Sequence, residues 1–429
     1  MVFVSALGDI LLSLMPAFTG PGFLLFVRLV TGWITCPSRR TITGMIPYAD
    51  PEGERHYGCY HRFFRAGAWS TRQVFRLWAK LLVSLLCPGG TIWLHGDDTV
   101  HRKTGRKVNG AKYHRDPVHS SGKQTVYVWG LKFAVLSVRV MPPWGGEPLS
   151  IPINLRLYRK GTTELHPLME EMIKEVADWF PGRFFHFVTD GFYASLAGCL
   201  PPGVFITSRI RSDAALYAQA PKPRQRRRGR PRKRGKRLPS PSEMARRVRK
   251  WRMVDTVERG KTHQRLVYTR VALWYGVSKD QPLLLVMSRD PEGKEKDDFF
   301  FTTDVSLRPE AVISEFANRW GIEDTFRNVK QYLGAEEPQS WKGEAPLKTA
   351  SFAYLLYGIV WLWYLRRRPS VSPIRPMPWY TRKSSPSFMD ALAQVRRTLW
   401  TDRFSDTLAD PSDFTKIHAL LIDALSRAA

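Results

Sequence analysis

Three acidic residues far apart in this chain stand where their chemistry would count. Asp97 closes the strand-like run "TIWLHGD" (91–97), Asp190 closes "RFFHFVT" (183–189), and Glu323 lies within "FANRWGIEDTFRNVKQYLG" (316–334). A strand end next to small residues is a common site position, because the sheet fixes the backbone while the tip stays open. Asp97 and Asp98 are consecutive, so on an extended chain they point to opposite faces. Only one of them is expected to join Asp190; Asp97 is favoured and Asp98 is the alternative. The stretch 316–334 reads as one amphipathic helix. At about 100° per residue, Phe316, Arg319, Glu323, Arg327 and Lys330 fall within a band of roughly 60°. Ile322, Phe326, Val329 and Leu333 form a separate apolar stripe that would anchor the helix to a core.

One carboxylate among cations, with two more carboxylates elsewhere, suits phosphoryl transfer. Hard oxygen donors bind Mg²⁺ or Mn²⁺, and two such ions ~4 Å apart would activate an attacking oxygen and steady the leaving one. Cations beside them would hold a nucleic-acid backbone in line for attack. Taken singly, each acid reads better as an exposed turn residue or a salt-bridge partner. The combination is what points to catalysis.

Those residues need a frame, and the chain supplies one in order. Residues 1–88 read as mostly helical, ending in the amphipathic run "STRQVFRLWAKLLVSLL" (70–86) and the stop "CPGG". The period then changes. Segments 91–97, 125–140 and 147–160 are β-branched and aromatic, with turn residues between them, and predict an antiparallel meander. A helix near 163–179, a strand at 183–189, a turn and helix, and a strand at 203–210 follow. Three strands, helix, strand, helix, strand predicts a mixed α/β sheet with helices packed on it. Residues 211–296 interrupt this order with a basic tract and further strand-like segments at 265–275 and 281–288, and read as an insertion. The sheet domain would span 89–344, and 345–429 would return to helices and loops rich in proline, serine and arginine.

Composition narrows the partners. The 429 residues carry 66 lysines and arginines against 38 acids, a net charge of +28, with 43% hydrophobic and 12% aromatic residues. The chain is therefore globular, with room for two or three domains, and its charge favours a polyanion. Nucleic acid leads, and an anionic membrane surface is second. The tract "PKPRQRRRGRPRKRGKR" (221–237) holds eleven cations and no acids, and removing those eleven from +28 still leaves +17. Two apolar runs, 10–27 and 349–365, read as buried helices: the first is broken by Pro16 and "GPG", and the second falls short of the ~20 residues a span needs. Four cysteines make no disulfide framework and no CxxC pair, which fits a reduced, cytoplasmic protein. "HYGCYH" (56–61) offers His56, Cys59 and His61, but no second pair at zinc-site spacing accompanies them.

At this point the sequence resembles a known family. It is similar to the DDE transposases of bacterial insertion sequences, in the branch with a ribonuclease H-like core and the signature Y-x2-R-x3-E-x6-K. Phe316, Arg319, Glu323 and Lys330 stand at those spacings, with phenylalanine in place of tyrosine. "DDT" (97–99) and "TDGFY" (189–193) resemble the first and second aspartate motifs. The resemblance covers roughly 90–345. It implies a ribonuclease H-like mixed sheet flanked by helices with a mainly β insertion, and Asp97, Asp190 and Glu323 as ligands of two Mg²⁺ (or Mn²⁺) ions. It also implies Arg319 and Lys330 on DNA near the cleaved end. Relatives cut the second strand through a DNA hairpin, helped by an aromatic residue of the insertion that takes a flipped base; Trp251 and Trp274 are both available for that.

The expected function is cleavage at element ends and joining of the freed 3′-OH to target DNA. The expected partners are double-stranded DNA, terminal inverted repeats and target alike, and a second copy of the chain. The helical start would recognise the repeats, and the protein would be associated with a bacterial nucleoid, without a membrane. Arg327 extends the basic helix face. Arg228-Gly229-Arg230-Pro231 resembles an AT-hook core suited to a narrow A·T minor groove, although a loop contacting phosphates without sequence preference explains the tract more simply. Two alternatives remain: a nuclease or recombinase with the same core but no strand transfer, and a DNA-binding regulator in which the acids are incidental.

Overall fold

The computed structural model describes residues 5–116, 119–221, 232–367, 378, 381, 383, 385–407 and 421. Arg228 and Arg230, and with them the AT-hook-like core, lie outside the described residues.

The N-terminal part is helical: α1 (Ser5–Leu12), a 3₁₀ turn (Met15–Ala17), α2 (Gly20–Thr35), α3 (Ile42–Ala49), α4 (Tyr57–Ala66) and α5 (Thr71–Leu86). Thr19 and Thr41 start α2 and α3 by accepting hydrogen bonds from the amides of Gly22 and Gly44, which satisfies donors that a helix cannot pair internally. His56 has the same role: its Nδ1 accepts from the Gly58 amide at 3.2 Å and starts α4. In α5 the buried residues Val74, Phe75, Trp78, Ala79, Leu82 and Val83 recur at helical spacing, as an amphipathic element requires.

Then come β1 (Ile92–Arg102), β2 (Lys112–Arg115), β3 (Tyr127–Val140), β4 (Leu149–Tyr158), α6 (Leu165–Trp179), β5 (Phe185–Thr189), a 3₁₀ helix (Gly191–Gly198) and β6 (Val204–Arg209). The segment that follows holds α7 (Pro241–Arg247), β7 (Arg252–Glu258), β8 (Lys261–Leu273), α8 (Tyr275–Ser278) and β9 (Pro282–Arg289). After it stand β10 (Asp298–Thr302), α9 (Pro309–Asn318), α10 (Gly321–Gln331), α11 (Ala345–Arg367) and α12 (Phe388–Thr407).

Among the described residues ten strands form one mixed sheet in the order β2-β3-β1-β5-β6-β10-β9-β8-β7, with β4 also paired to β3. β1 and β4 are each antiparallel to β3, and β5 and β6 run parallel to β1. β7, β8 and β9 extend the same sheet through β10, which pairs with β6. Residues 211–296 thus add strands to the sheet edge.

Odd positions of β1 face α10 and α11: His101 meets Tyr354 of α11, and Asp97 meets Arg319. Even positions face α6, where a side chain at Gly96 would strike the Phe187 ring at 2.3 Å and Met169 at 3.1 Å. α5 covers the edge strand β4, and the buried Trp78 Nε1 donates to the Pro152 carbonyl at 2.9 Å, closing an edge that would otherwise stay open. α11 is buried on nearly every side between the N-terminal helices and β4, and Phe352 is ringed by Phe26, Trp33 and Phe64. Among the described residues no helix is long and apolar enough to cross a membrane; the run 349–365 lies within α11.

The stretch 316–334 departs from the single helix expected. It is two helices, α9 and α10, joined at Arg319–Trp320, where the bonds tighten to i→i+3: Trp320 N–H to Ala317 O at 3.2 Å and Ile322 N–H to Arg319 O at 3.0 Å. Phe316 therefore belongs to α9, over a second small core of Val254, Val267, Leu284, Val286 and Phe300, while Glu323, Arg327 and Lys330 belong to α10. The break lets α9 cover the β7–β10 half of the sheet and α10 cover β1 and β4.

Trp78→Phe is expected to keep the packing but leave the Pro152 carbonyl without its donor, lowering stability by about 1–3 kcal/mol. Urea unfolding of both proteins measures this, and an unchanged midpoint would show that the bond contributes nothing.

Candidate active site

The register of the two central parallel strands brings the first two acids together. Gly96 pairs with Thr189, so Asp97 and Asp190 each stand one residue past that pair on adjacent strands, which are about 4.8 Å apart. Asp190 follows the end of β5 as expected, whereas Asp97 does not close its strand, because β1 continues to Arg102 and pairs Asp97 with Val135 of β3. The Thr189 hydroxyl donates to the Gly96 carbonyl at 3.1 Å and fixes that register. Asp190 also starts the 3₁₀ helix: its Oδ1 accepts from the Phe192 amide at 3.1 Å, and its carbonyl accepts from the Ser208 hydroxyl at 2.6 Å.

The third acid arrives through α10. Gly321 makes this possible, since a side chain there would sit 2.8 Å from the Pro148 carbonyl and 3.1 Å from the Ser150 hydroxyl. The buried Thr325 hydroxyl donates to the Ser150 carbonyl at 2.6 Å and ties the helix to β4. One turn earlier, the buried Arg319 spans two of the acids. Its Nη1 donates to Asp97 Oδ2 at 2.7 Å and its Nη2 to Glu323 Oε1 at 3.3 Å.

Asp98 faces the other way, in a 2.7 Å ion pair with Lys132 of β3 and accepting from the Tyr193 hydroxyl at 3.4 Å. Of the two consecutive aspartates, Asp97 is the one on the Arg319 side.

Electrostatics single out Asp97. Burial pushes its carboxyl up to about 7; Arg319 opposes that shift, and Asp98 and Asp190 add to it. Burial also raises Glu323, again against Arg319. Lys330 lies further along α10 near His101, Arg102, Glu336 and Asp116, and burial lowers its pKa. Arg327 is paired with Asp324 at 2.7 Å.

Among the described residues no group of three or more His, Cys, Asp or Glu side chains is drawn together tightly enough to hold a metal ion as it stands. The donor set fits a hard divalent cation in kind: it is all carboxylate oxygen, and burial, with Asp98 and Asp190 adding to it, makes the ionised form of Asp97 costly without an added positive charge. The positive charge between Asp97 and Glu323 is the Arg319 guanidinium. Direct coordination by both acids requires that group to withdraw.

Three further residues border the site without having been singled out in the sequence. Tyr193 feels the charges of Asp98, Asp97 and Asp190, and its hydroxyl pKa is raised, chiefly by burial; its place in "TDGFY" was the available signal. Trp320 is 43% exposed beside Glu323, with the Arg259 guanidinium 5.2 Å from its ring. Arg259 occupies the β7–β8 turn at a φ of 51° and donates to Glu147 at 2.7 Å. Nothing local in the sequence announces that long-range contact. The two tryptophans of the insertion are partly covered: Trp251 lies under Arg289 and Trp274 against Phe301.

The mixed sheet thus carries Asp97 within β1 and Asp190 just past the neighbouring β5, with Glu323 on α10, which packs on β1 and β4. The sequence profile of the DDE superfamily endonucleases matches residues 25–275, more than half of the chain, and the protein belongs to that family. The matched range includes Asp97 and Asp190 and ends before Arg319, Glu323 and Lys330. A comparison with curated proteins gives no match. Among solved structures, the fold is similar to a piggyBac transposase in a cryo-EM synaptic complex with hairpin DNA, at 12% identity and a TM-score of 0.45, over 98% of this chain and 80% of that one.

Asp97 yields a pH prediction for the metal-free protein. A carboxyl whose folded pKa is raised from 3.8 to about 7 stabilises the fold below about pH 4 and loses that contribution as pH rises through 7. Asp97→Asn is therefore expected to flatten the decline in stability between pH 4 and 8. Urea midpoints in the presence of a chelator test this, and parallel profiles for the two proteins would refute it.

Proposed function

We propose that this protein is a DNA transposase that cuts at the ends of a mobile element and joins the freed 3′-OH to target DNA. The observation that carries this reading is the linkage Asp97–Arg319–Glu323, beside Asp190 on the neighbouring strand, in a family of endonucleases. The strand order β4-β3-β1-β5-β6, three antiparallel followed by two parallel, supports a ribonuclease H-like core. The spacing of Phe316, Arg319, Glu323 and Lys330 supports the insertion-sequence branch with the tyrosine-arginine-glutamate-lysine signature. On this reading the catalytic unit spans 89–344, with 1–88 recognising the terminal repeats and two copies acting on paired ends in a bacterial nucleoid.

Asp97, Asp190 and Glu323 would hold Mg²⁺ or Mn²⁺, which when bound supplies an activated attacking oxygen and charge neutralisation at the leaving one. The chain's own part is positioning. The sheet holds Asp97 and Asp190 in register, and α10 presents Glu323 from a helix whose back is buried through Ile322, Phe326 and Val329. Arg319 exchanges its carboxylates for a DNA phosphate, a geometry its planar fork suits. Lys330, near the cleaved end, and Arg327 extend the cationic track for the DNA backbone.

The central experiment is incubation with element-end DNA and Mg²⁺. Asp190→Asn and Glu323→Gln are each expected to lower cleavage by orders of magnitude while leaving DNA affinity within a few-fold; cleavage that survives both changes removes the assignment. Paired-end complexes and joined products separate a transposase from a nuclease that only cuts.

Arg319→Ala has a distinctive signature. Without DNA, removal of the guanidinium should tighten Mn²⁺ binding on the order of tenfold, read by calorimetry, even as end cleavage is lost. Weaker or unchanged Mn²⁺ binding would show that the arginine does not occupy the cation's place.

A further inference from the structure

Beyond the carboxylates, the chain contains a second cationic feature. A groove of about 400 Å³ lies between the N-terminal helices and the segment after α10, lined by Thr41, Thr43, His61, Arg65, Trp341 and Lys342 among others. Among the described residues no acidic one lines it. The three nearby acids of 336–344 are engaged elsewhere: Glu336 accepts from the Arg102 amide at 2.7 Å, Glu337 from the Arg40 amide at 2.6 Å, and Glu344 pairs with Lys348 at 2.8 Å. Among the described residues Arg65 and Lys342 form no salt bridge, and both are exposed. Burial lowers the pKa of His61, which therefore adds a neutral donor or acceptor in place of a charge at neutral pH.

Two independent features point to an anionic occupant. The Ser340 hydroxyl on the groove wall is shielded from solvent and has no hydrogen-bond partner among the described residues. The eight-residue helix α3 begins at this groove, with Thr41 and Thr43 hydroxyls 3.3 Å apart at its start; Thr41 already caps the Gly44 amide, and the helix start adds partial positive charge. Beside them the Trp341 ring is 45% exposed, with the Lys342 ammonium 4.6 Å from its centre.

The groove is also fastened to the catalytic strand. Lys103, just past β1, donates to the carbonyls of Glu336 and Pro338 at 2.7 and 3.2 Å. Asn109 holds Trp341 and Gly343 through bonds of 2.9 and 2.8 Å. β1 carries Asp97, and α10, which carries Glu323 and Lys330, leads directly into the 332–344 segment.

We infer that this groove binds the phosphodiester backbone of duplex DNA at a point set back from the cleaved end, so that one DNA runs from the carboxylates past Lys330 to Arg65, Lys342 and Trp341. This rests on the proposed function, since it assigns part of that same substrate. Single-stranded RNA would use similar chemistry, but a rigid duplex matches a track whose two ends are fixed by one strand and one helix.

The test uses the full chain, labelled duplex DNA carrying an element end, and no divalent metal. Arg65→Ala/Lys342→Ala is expected to weaken binding about tenfold and to reduce the slope of log affinity against log salt by about 1.8, two phosphate contacts at ~0.9 each. Hydroxyl-radical footprints should lose protection at a few nucleotides inside the end while keeping protection at the cut. An unchanged melting temperature checks the fold, and Arg65→Lys/Lys342→Arg should restore the wild-type slope. An unchanged slope in the alanine variant, a uniform loss of the footprint, or loss of affinity for single-stranded RNA alone would overturn the groove assignment. Wild-type protein that fails to bind duplex DNA would instead remove the proposed function itself.

Discussion

Everything at the centre of this molecule is organised around a guanidinium held between two carboxylates. Arg319 is almost wholly buried, and its two terminal nitrogens reach Asp97 on the sheet and Glu323 on α10. Neither acid is comfortable alone: burial raises both, and Asp97 has Asp98 and Asp190 close by. A buried charge left unpaired is far more costly than one that is paired. The arginine therefore makes the cluster tolerable, and it does so from the turn that joins α9 to α10. The same turn decides where each helix lies on the sheet, so the electrostatic requirement and the path of the chain have a common solution.

The sheet supplies the other half of the constraint. β1 is paired antiparallel to β3 on one side and parallel to β5 on the other, and its parallel partner ends one residue before Asp190. A slip of one residue in that register would turn Asp97 toward α6 and Asp98 toward Arg319. Gly96 resists such a slip, because no side chain larger than hydrogen fits against Phe187 at that point. The Thr189 hydroxyl bond to the Gly96 carbonyl acts in the same sense.

Much of this could be read in the sequence, for identifiable reasons. Period-two patterning and flanking turn residues announced β1, β3, β4, β5 and β6, and an acid at the end of such a run is easy to notice, although β1 continues past Asp97 to Arg102 because "DTVHR" still pairs with β3. The turn at Arg319–Trp320 was not legible, because the residues around it keep helical spacing and only Gly321 hints at a change. β2 was missed, since "KYHR" has no apolar alternation, and β7 was masked by the adjoining run "RRVRKWR". The ion pairs of Asp98 with Lys132 and of Arg259 with Glu147 join residues far apart in the chain, and no local pattern encodes such partners. The groove beside α3 escaped for the same reason: its walls come from segments nearly three hundred positions apart.

α11 ties those distant segments together. Phe352 fills the space enclosed by Phe26, Trp33 and Phe64, so the first five helices share a core with residues made much later. While the polypeptide emerges from the ribosome, that apolar surface has nothing to close it until α11 has been synthesised. Prematurely terminated copies would carry an open hydrophobic face on their amino-terminal part, and the cell would meet them as aggregates or as prey for proteases before they could compete with intact protein for its substrate.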